Sequence, residues 1–289
     1  MSHQYWLDVP IEPDLEPLEH GSILFVGTAT TVIKLGGFTI LTDPNFLHSG
    51  DHIHVGYGMT SKRITDPAIE IEELPYLDAC VLSHMHDDHF DEIAKAKLRK
   101  DLPIITTTQA AKLLRIDGFK STHALRRWDS LTLRKGAAWL RITSMPGKHG
   151  PGVMNYLLPP VMGSMLEWGL GNARTLFRLY ISGDTLVTDE LREIPERFPG
   201  IDLALMHLGG TKVMGILVTM DAKQGVEALR IIHPRRAIPI HYNDYPIFKS
   251  TLEQFMRAVD EANLDTKIEY LYHGDRYDFT AAALLKAAS

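Results

Sequence analysis

The 289-residue sequence contains one cysteine, Cys80, so it cannot close an intrachain disulfide. Cys80 stands in a short apolar run, residues 79–82, where a thiol behaves as a small buried hydrophobe, and nothing calls for an oxidising compartment. A basic excess is missing too: 30 Lys and Arg against 36 Asp and Glu give a formal net charge of −6. General attraction to polyphosphate is therefore not built in, and nucleic acid is not an expected partner. There is no apolar run of about 18 residues, which excludes a transmembrane helix. The start, MSHQYWLDVPIEPDLEP, lacks the basic cap and apolar stretch of a signal peptide, so a cytoplasmic location is expected. Low-complexity segments are absent, and 45% hydrophobic with 23% charged residues describes a globular chain that can bury a large core.

What is present alternates between strand-like and helix-like segments. Residues 23–26, 32–35 and 38–41 are short β-rich runs, with Gly36-Gly37 as the turn signal between the last two. Further strands are expected at 77–82, 103–106, 139–145, 177–182, 203–206, 237–240 and 268–272. Helices are expected at 91–100, capped by Asp91, and at 109–116. Ala222, Val226 and Leu229 share one helix face, and Leu252, Phe255, Met256 and Val259 mark another helix. The pattern predicts an α/β fold with helices on sheet faces, residues 1–289 forming one domain. Residues 1–20 read as an N-terminal extension. Residues 147–174, with Pro159-Pro160 and many Gly and Met, read as a long apolar loop near the functional site, a lid, wall or interface for a partly hydrophobic substrate.

The densest chemical signal is His84-Met85-His86-Asp87-Asp88-His89, directly after the apolar run at 77–82. Residues two apart at a strand end point the same way, so His84 and His86 can converge on one ion. Asp88 and His89 lie beyond the turn, within reach of a second. Imidazole and carboxylate suit Zn²⁺, with Mn²⁺ or Fe as alternatives. His149, Asp184 and His241 each follow a predicted strand and are candidate further ligands. Singly, each also reads as a loop histidine or a capping aspartate.

These residues resemble the metallo-β-lactamase superfamily. His84, His86, Asp88 and His89 match its H-x-H-x-D-H signature, and His149, Asp184 and His241 match its later ligands in order. Gly27-Thr28-Ala29-Thr30, Leu41-Thr42-Asp43-Pro44, Ser182-Gly183-Asp184-Thr185 and Pro239-Ile240-His241-Tyr242 are similar to the branch of L-ascorbate-6-phosphate lactonases and N-acyl-phosphatidylethanolamine-hydrolysing phospholipase D enzymes. The resemblance implies a four-layer αβ/βα sandwich. It also implies one ion on His84, His86 and His149, a second on Asp88, His89 and His241, and Asp184 bridging them.

Such a centre would use a hydroxide between two divalent ions to cleave a lactone, an ester or a phosphodiester of a small-molecule or lipid-like substrate. No G-x-S-x-G elbow competes for the nucleophile. Asp88 could orient the attacking water, His207 could face substrate, and Tyr242 could polarise the attacked oxygen. Asp43 could accept a hydrogen bond from a ligand histidine, and His52 and His54 could rim the cleft. Two other readings share the fold, a non-catalytic metal-binding sensor and an iron-dependent redox enzyme. The di-iron redox relatives carry Glu where this chain has His86, and a flavodoxin domain for which the length leaves no room. A homo-oligomer is compatible with the sequence.

Overall fold

A computed structural model describes residues 2–11, 18, 20–54, 60–172 and 174–280. Among them, two large sheets face each other. One runs in the order Gln4–Asp8, Ser130–Lys135, Ala138–Met145, Gly163–Leu170, Phe177–Ile181, Leu203–His207, Arg236–Ile240 and Lys267–Ile268. The other runs Arg276–Thr280, His20–Gly27, Thr30–Leu35, Phe38–Thr42, Ala79–Val81, Ile104–Thr106 and Thr122–Ala124.

Strand side chains alternate between faces, and the alternation sorts the core into layers. Ile23, Phe25, Ile33, Leu35 and Ile40 meet Leu140, Ile142, Leu166, Trp168, Leu203, Leu205, Ile238 and Ile240 between the sheets. The intervening residues face outward. Leu41, Cys80 and Ile104 pack under helices Glu92–Lys97 and Thr108–Ile116 through Ala94, Ala110 and Leu114. On the opposite side Tyr180, Ala204, Met206 and Ala237 pack under Ala222–Ile232 and Leu252–Ala262 through Val226, Leu229 and Phe255. The result is the expected helix–sheet–sheet–helix sandwich. No helix among the described residues is long and apolar enough to cross a membrane.

Gly36-Gly37 turns as the sequence requires, with φ of 58° and 84° closing the hairpin between Thr30–Leu35 and Phe38–Thr42. A Cβ on Gly36 would also lie 1.8 Å from Trp168 Nε1, in the middle of the inter-sheet core. Gly36→Ala therefore combines left-handed backbone strain with a clash against a ring that has nowhere to move. The expected loss is about 2–4 kcal/mol, read as a lower denaturant midpoint at unchanged slope; a midpoint within error of wild type would contradict this packing.

Three expectations are corrected. The N-terminal segment is not a mere extension: Gln4–Asp8 pairs in parallel with Ser130–Lys135 and forms an edge of the first sheet. Residues 147–174 are not one loop. They include Gly163–Leu170, a strand buried in that sheet, paired on both sides with Ala138–Met145 and Phe177–Ile181. The residues before it, with the short helix Met154–Leu157, and the turn at Gly171 and Asn172 after it are irregular. The expected strand at 268–272 shrinks to Lys267–Ile268, and Arg276–Thr280, pairing antiparallel with His20–Gly27, follows it.

Candidate metal centre

Phe38–Thr42, Ala79–Val81 and Ile104–Thr106 run parallel in one sheet. Phe177–Ile181, Leu203–His207 and Arg236–Ile240 do so in the other. Asp43, His84, Asp184, His207 and His241 stand at or just past the C-terminal ends of these strands, and residues there collect at one rim. Asp91 fixes the histidine turn from its far end. It caps Glu92–Lys97 through Ala94 N and also accepts from the backbone N–H groups of Phe46 and Leu47. Gly183, before Asp184, has φ of 62°, and a Cβ there would meet the Met162 carbonyl at 2.6 Å. Thr28, Asp43 and His241 take positive φ without being glycine, so backbone strain gathers around the same rim.

Three overlapping groups of donor atoms result, each within 4.8 Å: His84, His86 and His149; His84, His89 and Asp184; and Asp88, His89 and His241. In the first, His86 Nδ1 lies 3.0 Å from His84 Nε2 and 3.4 Å from His149 Nε2. Nitrogens on one tetrahedral Zn²⁺ at its usual bond length stand roughly 3.3 Å apart, so the spacing suits a shared cation. Asp184 Oδ2 lies 3.4 Å from His89 Nε2 and 3.6 Å from His241 Nε2. Asp88 Oδ2 lies 3.4 Å from His241 Nε2 and 3.7 Å from His89 Nε2.

The opposite ring nitrogens are spoken for. His149 Nδ1 faces the Val218 carbonyl at 3.0 Å and His241 Nδ1 the Leu208 carbonyl at 2.9 Å. His89 Nδ1 faces Asp43 Oδ2 at 3.2 Å, and His84 Nδ1 the Ser83 hydroxyl at 2.9 Å. A proton held on Nδ1 by a carbonyl or carboxylate leaves the Nε2 lone pair pointing into the cluster. Within it, His89 Nε2 and Asp184 Oδ1 are buried with no hydrogen-bond partner. Orphaned buried donors and acceptors are rare and costly, and a cation between them would satisfy both.

Charge follows the same division. Burial, then the neighbouring imidazoles, push His84 well below the ordinary histidine value, and burial and His149 bring His86 to about 4. His149 and His207 are lowered chiefly by burial. For His89 and His241 burial is outweighed by Asp184 and Asp88, and both are raised. Asp184 and Asp88 are lowered because the surrounding imidazoles outweigh burial. In chelated protein, His84, His86, His149 and His207 are thus neutral when folded but protonate near 6.5 when unfolded. Each contributes fully above about pH 6.5 and loses that contribution as pH falls below it, for His86 down to about 4. His89 and His241 act oppositely, contributing below 6.5 and losing their contribution as pH rises through their raised values. Equilibrium unfolding of EDTA-treated protein should therefore show stability declining as pH falls below about 6.5; a flat profile between about pH 6.5 and 4 would be at odds with four imidazoles held neutral in the fold.

Of the expected residues, Asp43 reaches His89 as anticipated. His207 is wholly buried, its Nε2 3.5 Å from Asp43 Oδ2 and its Nδ1 3.3 Å from the Ser182 hydroxyl, so it is not displayed to a substrate. Tyr242 is also corrected. Ile238, Ile240 and Tyr242 alternate into the inter-sheet core, and the Tyr242 hydroxyl donates to the Leu271 carbonyl, away from the metal-side rim. His54 is exposed and contacts Asp87 at 3.1 Å. Residues 55–59 of its glycine-rich loop lie outside the described residues. Ser83 and Thr219 were not anticipated. The Ser83 backbone donates to Asp43 and the Thr219 hydroxyl to Asp184 Oδ2, at 2.6 and 2.9 Å. No spacing announces a serine or threonine that holds a ligand's partner.

The sequence profile of the beta-lactamase superfamily domain matches residues 29–242. A UPF0173 metal-dependent hydrolase of Nanoarchaeum equitans is 29% identical over 208 residues, 71% of this chain and 87% of its own. One from Aeropyrum pernix is 25% identical over 274 residues, covering 89% and 97%. Among solved structures, an isothiocyanate hydrolase from Delia radicum gut bacteria superposes with a TM-score of 0.74 at 20% identity, covering 90% of this chain and 99% of that one. The diiron β-hydroxylase CmlA of Streptomyces venezuelae superposes at 0.60 with 15% identity, over 92% of this chain and 55% of that one. Hydrolytic and oxidative chemistry both occur on this fold, so the fold alone does not choose.

Proposed function

Because the chain belongs to the metallo-β-lactamase superfamily, we propose that it is a metal-dependent hydrolase working with two divalent cations, zinc first among the candidates. His84, His86 and His149 would hold one, Asp88, His89 and His241 the other, with Asp184 between them. The observation that carries this reading is the orphaned pair, His89 Nε2 and Asp184 Oδ1, inside a shell of seven donor residues of which all but His86 are buried. Two such ions supply an activated water near neutral pH and stabilise charge on the attacked group. The chain's own residues do the rest. Asp88 retains slight exposure and stands where it can orient that water. The Val218, Leu208 and Asp43 oxygens hold the ring protons away from the centre, which keeps the donors aimed without reorganisation.

The rim beside His149 supports a substrate class. Met154, Leu158, Val213 and Val218 form a small apolar cluster there, and the carbonyl of Val218 is the one that holds His149. Around it Tyr156 is 86% and Met214 78% exposed, with Val153 and Leu157 also in solvent. Exposed apolar side chains collected at one place mark a binding surface. They favour a lactone, ester or phosphodiester with an apolar portion, consistent with the resemblance to the lactonase and phospholipase D branch.

The test is metal analysis of the purified protein, then hydrolysis of acyl lactones, aryl esters and a bis-aryl phosphodiester with acyl length varied. We expect two ions per chain, loss of turnover on chelation, and rates that rise with apolar length. Tyr156→Ser with Met214→Ser should erase the length dependence while leaving the shortest substrate unaffected. Hydrolysis of none of the three classes by the fully loaded protein would sink the reading.

A further inference from the structure

A second built cavity lies on the outer face of the first sheet, on the half formed by Ser130–Lys135, Ala138–Met145, Gly163–Leu170 and Phe177–Ile181. Here one cross-strand row of outward residues is polar. Thr132, Arg141, Glu167 and Arg178 stand side by side, each the cross-strand partner of the next. Glu167 is buried, and its carboxylate accepts from Arg141 Nε at 2.9 Å, Arg178 Nε at 3.1 Å and the Thr175 hydroxyl at 3.0 Å. The Pro199 carbonyl accepts from Arg178 Nη1 at 2.6 Å. Above this row, Arg197 lies over the Trp128 ring, 4.3 Å from its centroid, and Trp128 stacks on Phe198 at 21°. Among the described residues the ion-pair partner of Arg197 is Glu193, at 3.2 Å. Arg141, Glu167, Thr175, Arg178, Arg197, Trp128 and Phe198 line an open cavity of about 360 Å³, within the size range of small-ligand sites.

Within the lining three guanidinium groups face one carboxylate, and with Arg197 paired to Glu193 outside it one positive charge is still left unmatched, on a chain whose net charge is −6. The cationic lining is thus local construction and does not follow from composition. Arg141 Nη1, Arg178 Nη2 and Arg197 Nη1 have no acceptor among the described residues. Glu167 fixes two of the three forks in place, so little side-chain entropy remains to be lost when an anion docks. A ladder needed only for the sheet would be complete with Glu167 and one arginine. The third arginine and the stacked Trp128–Phe198 pair add a flat wall beside a cationic floor.

We propose that this cavity binds a small anion bearing a flat ring, an aryl phosphate or aryl carboxylate, with its head group on the arginine N–H groups and its ring against Trp128 and Phe198. The site is independent of the metal centre and of the hydrolase reading. Calorimetric titration of the metal-loaded protein at low ionic strength, with phenyl phosphate, benzoate and inorganic phosphate as probes, tests it. One equivalent of phenyl phosphate or benzoate should bind below about 1 mM, more tightly than inorganic phosphate, and whichever binds tighter identifies the head group. Binding should persist in Asp184→Asn, which removes a metal-centre carboxylate. It should weaken at least about tenfold in Arg197→Glu, a change on an exposed side chain that leaves the buried Glu167 network intact. Trp128→Leu should remove the advantage of the ringed probes. No saturable binding below about 1 mM, binding abolished by Asp184→Asn, or binding unchanged by Arg197→Glu overturns the proposal.

Discussion

Asp184→Asn should yield a folded protein that retains less than the wild-type metal content and loses hydrolysis on the order of a thousandfold. The substitution keeps shape and the Thr219 contact but deletes the charge that faces His89 and His241 at 3.4 and 3.6 Å. An amide offers those two sites one neutral oxygen where a carboxylate offers a shared negative charge. His86→Ala should fall similarly by a separate route, because it strips one of three nitrogens from the first group only. His86 is partly exposed, so its loss should cost little folding. Metal analysis beside circular dichroism and turnover separates the effects. Full metal content and full activity in both variants would rule out these residues as ligands.

Asp43→Asn should lower metal affinity by about 10–100-fold with a smaller effect on the fold. Asp43 Oδ1 accepts from the Ser83 backbone at 2.6 Å while Oδ2 faces His89 Nδ1 at 3.2 Å. An amide can keep the first bond only by turning its NH₂ toward His89. The His89 proton then moves to Nε2, the atom that must be bare to ligate. His207 Nε2, 3.5 Å from the same oxygen, would have to rearrange as well. The distinguishing readout is metal competition against a chromophoric chelator, and wild-type affinity in this variant would show that the carboxylate does not set the tautomer.

Much of this was legible beforehand because the relevant physics is local. Residues 23–26, 32–35 and 38–41 are strands whose alternation or turn chemistry lies within a few residues. The cluster from His84 to His89 needs no long-range information to be suspicious, and Asp91 caps its helix as read. The failures are tertiary. Gly163–Leu170 looks like loop because its glycines break β propensity. Those glycines make room for neighbours: a Cβ on Gly169 would strike the Trp139 ring at 2.2 Å, and one on Gly163 the Ile181 carbonyl at 3.0 Å. Gln4–Asp8 carries no punctuation, and its partner lies some 126 positions away. Adjacency to His241 suggests a metal-side Tyr242, but alternation along 238–242 sends it to the opposite side. Position after a strand suggests a displayed His207, whereas its setting is decided by Asp43 from the other sheet.

The pairing of Arg276–Thr280 with His20–Gly27 bears on how the chain is made. The ribosome delivers His20–Gly27 early and its antiparallel neighbour roughly 250 residues later, a delay on the order of 10–50 s at ordinary elongation rates. Through that interval one edge of the nascent sheet offers unpaired backbone groups to any other extended chain nearby. A holding chaperone that occupies this edge should raise the yield of active protein more than one added after release.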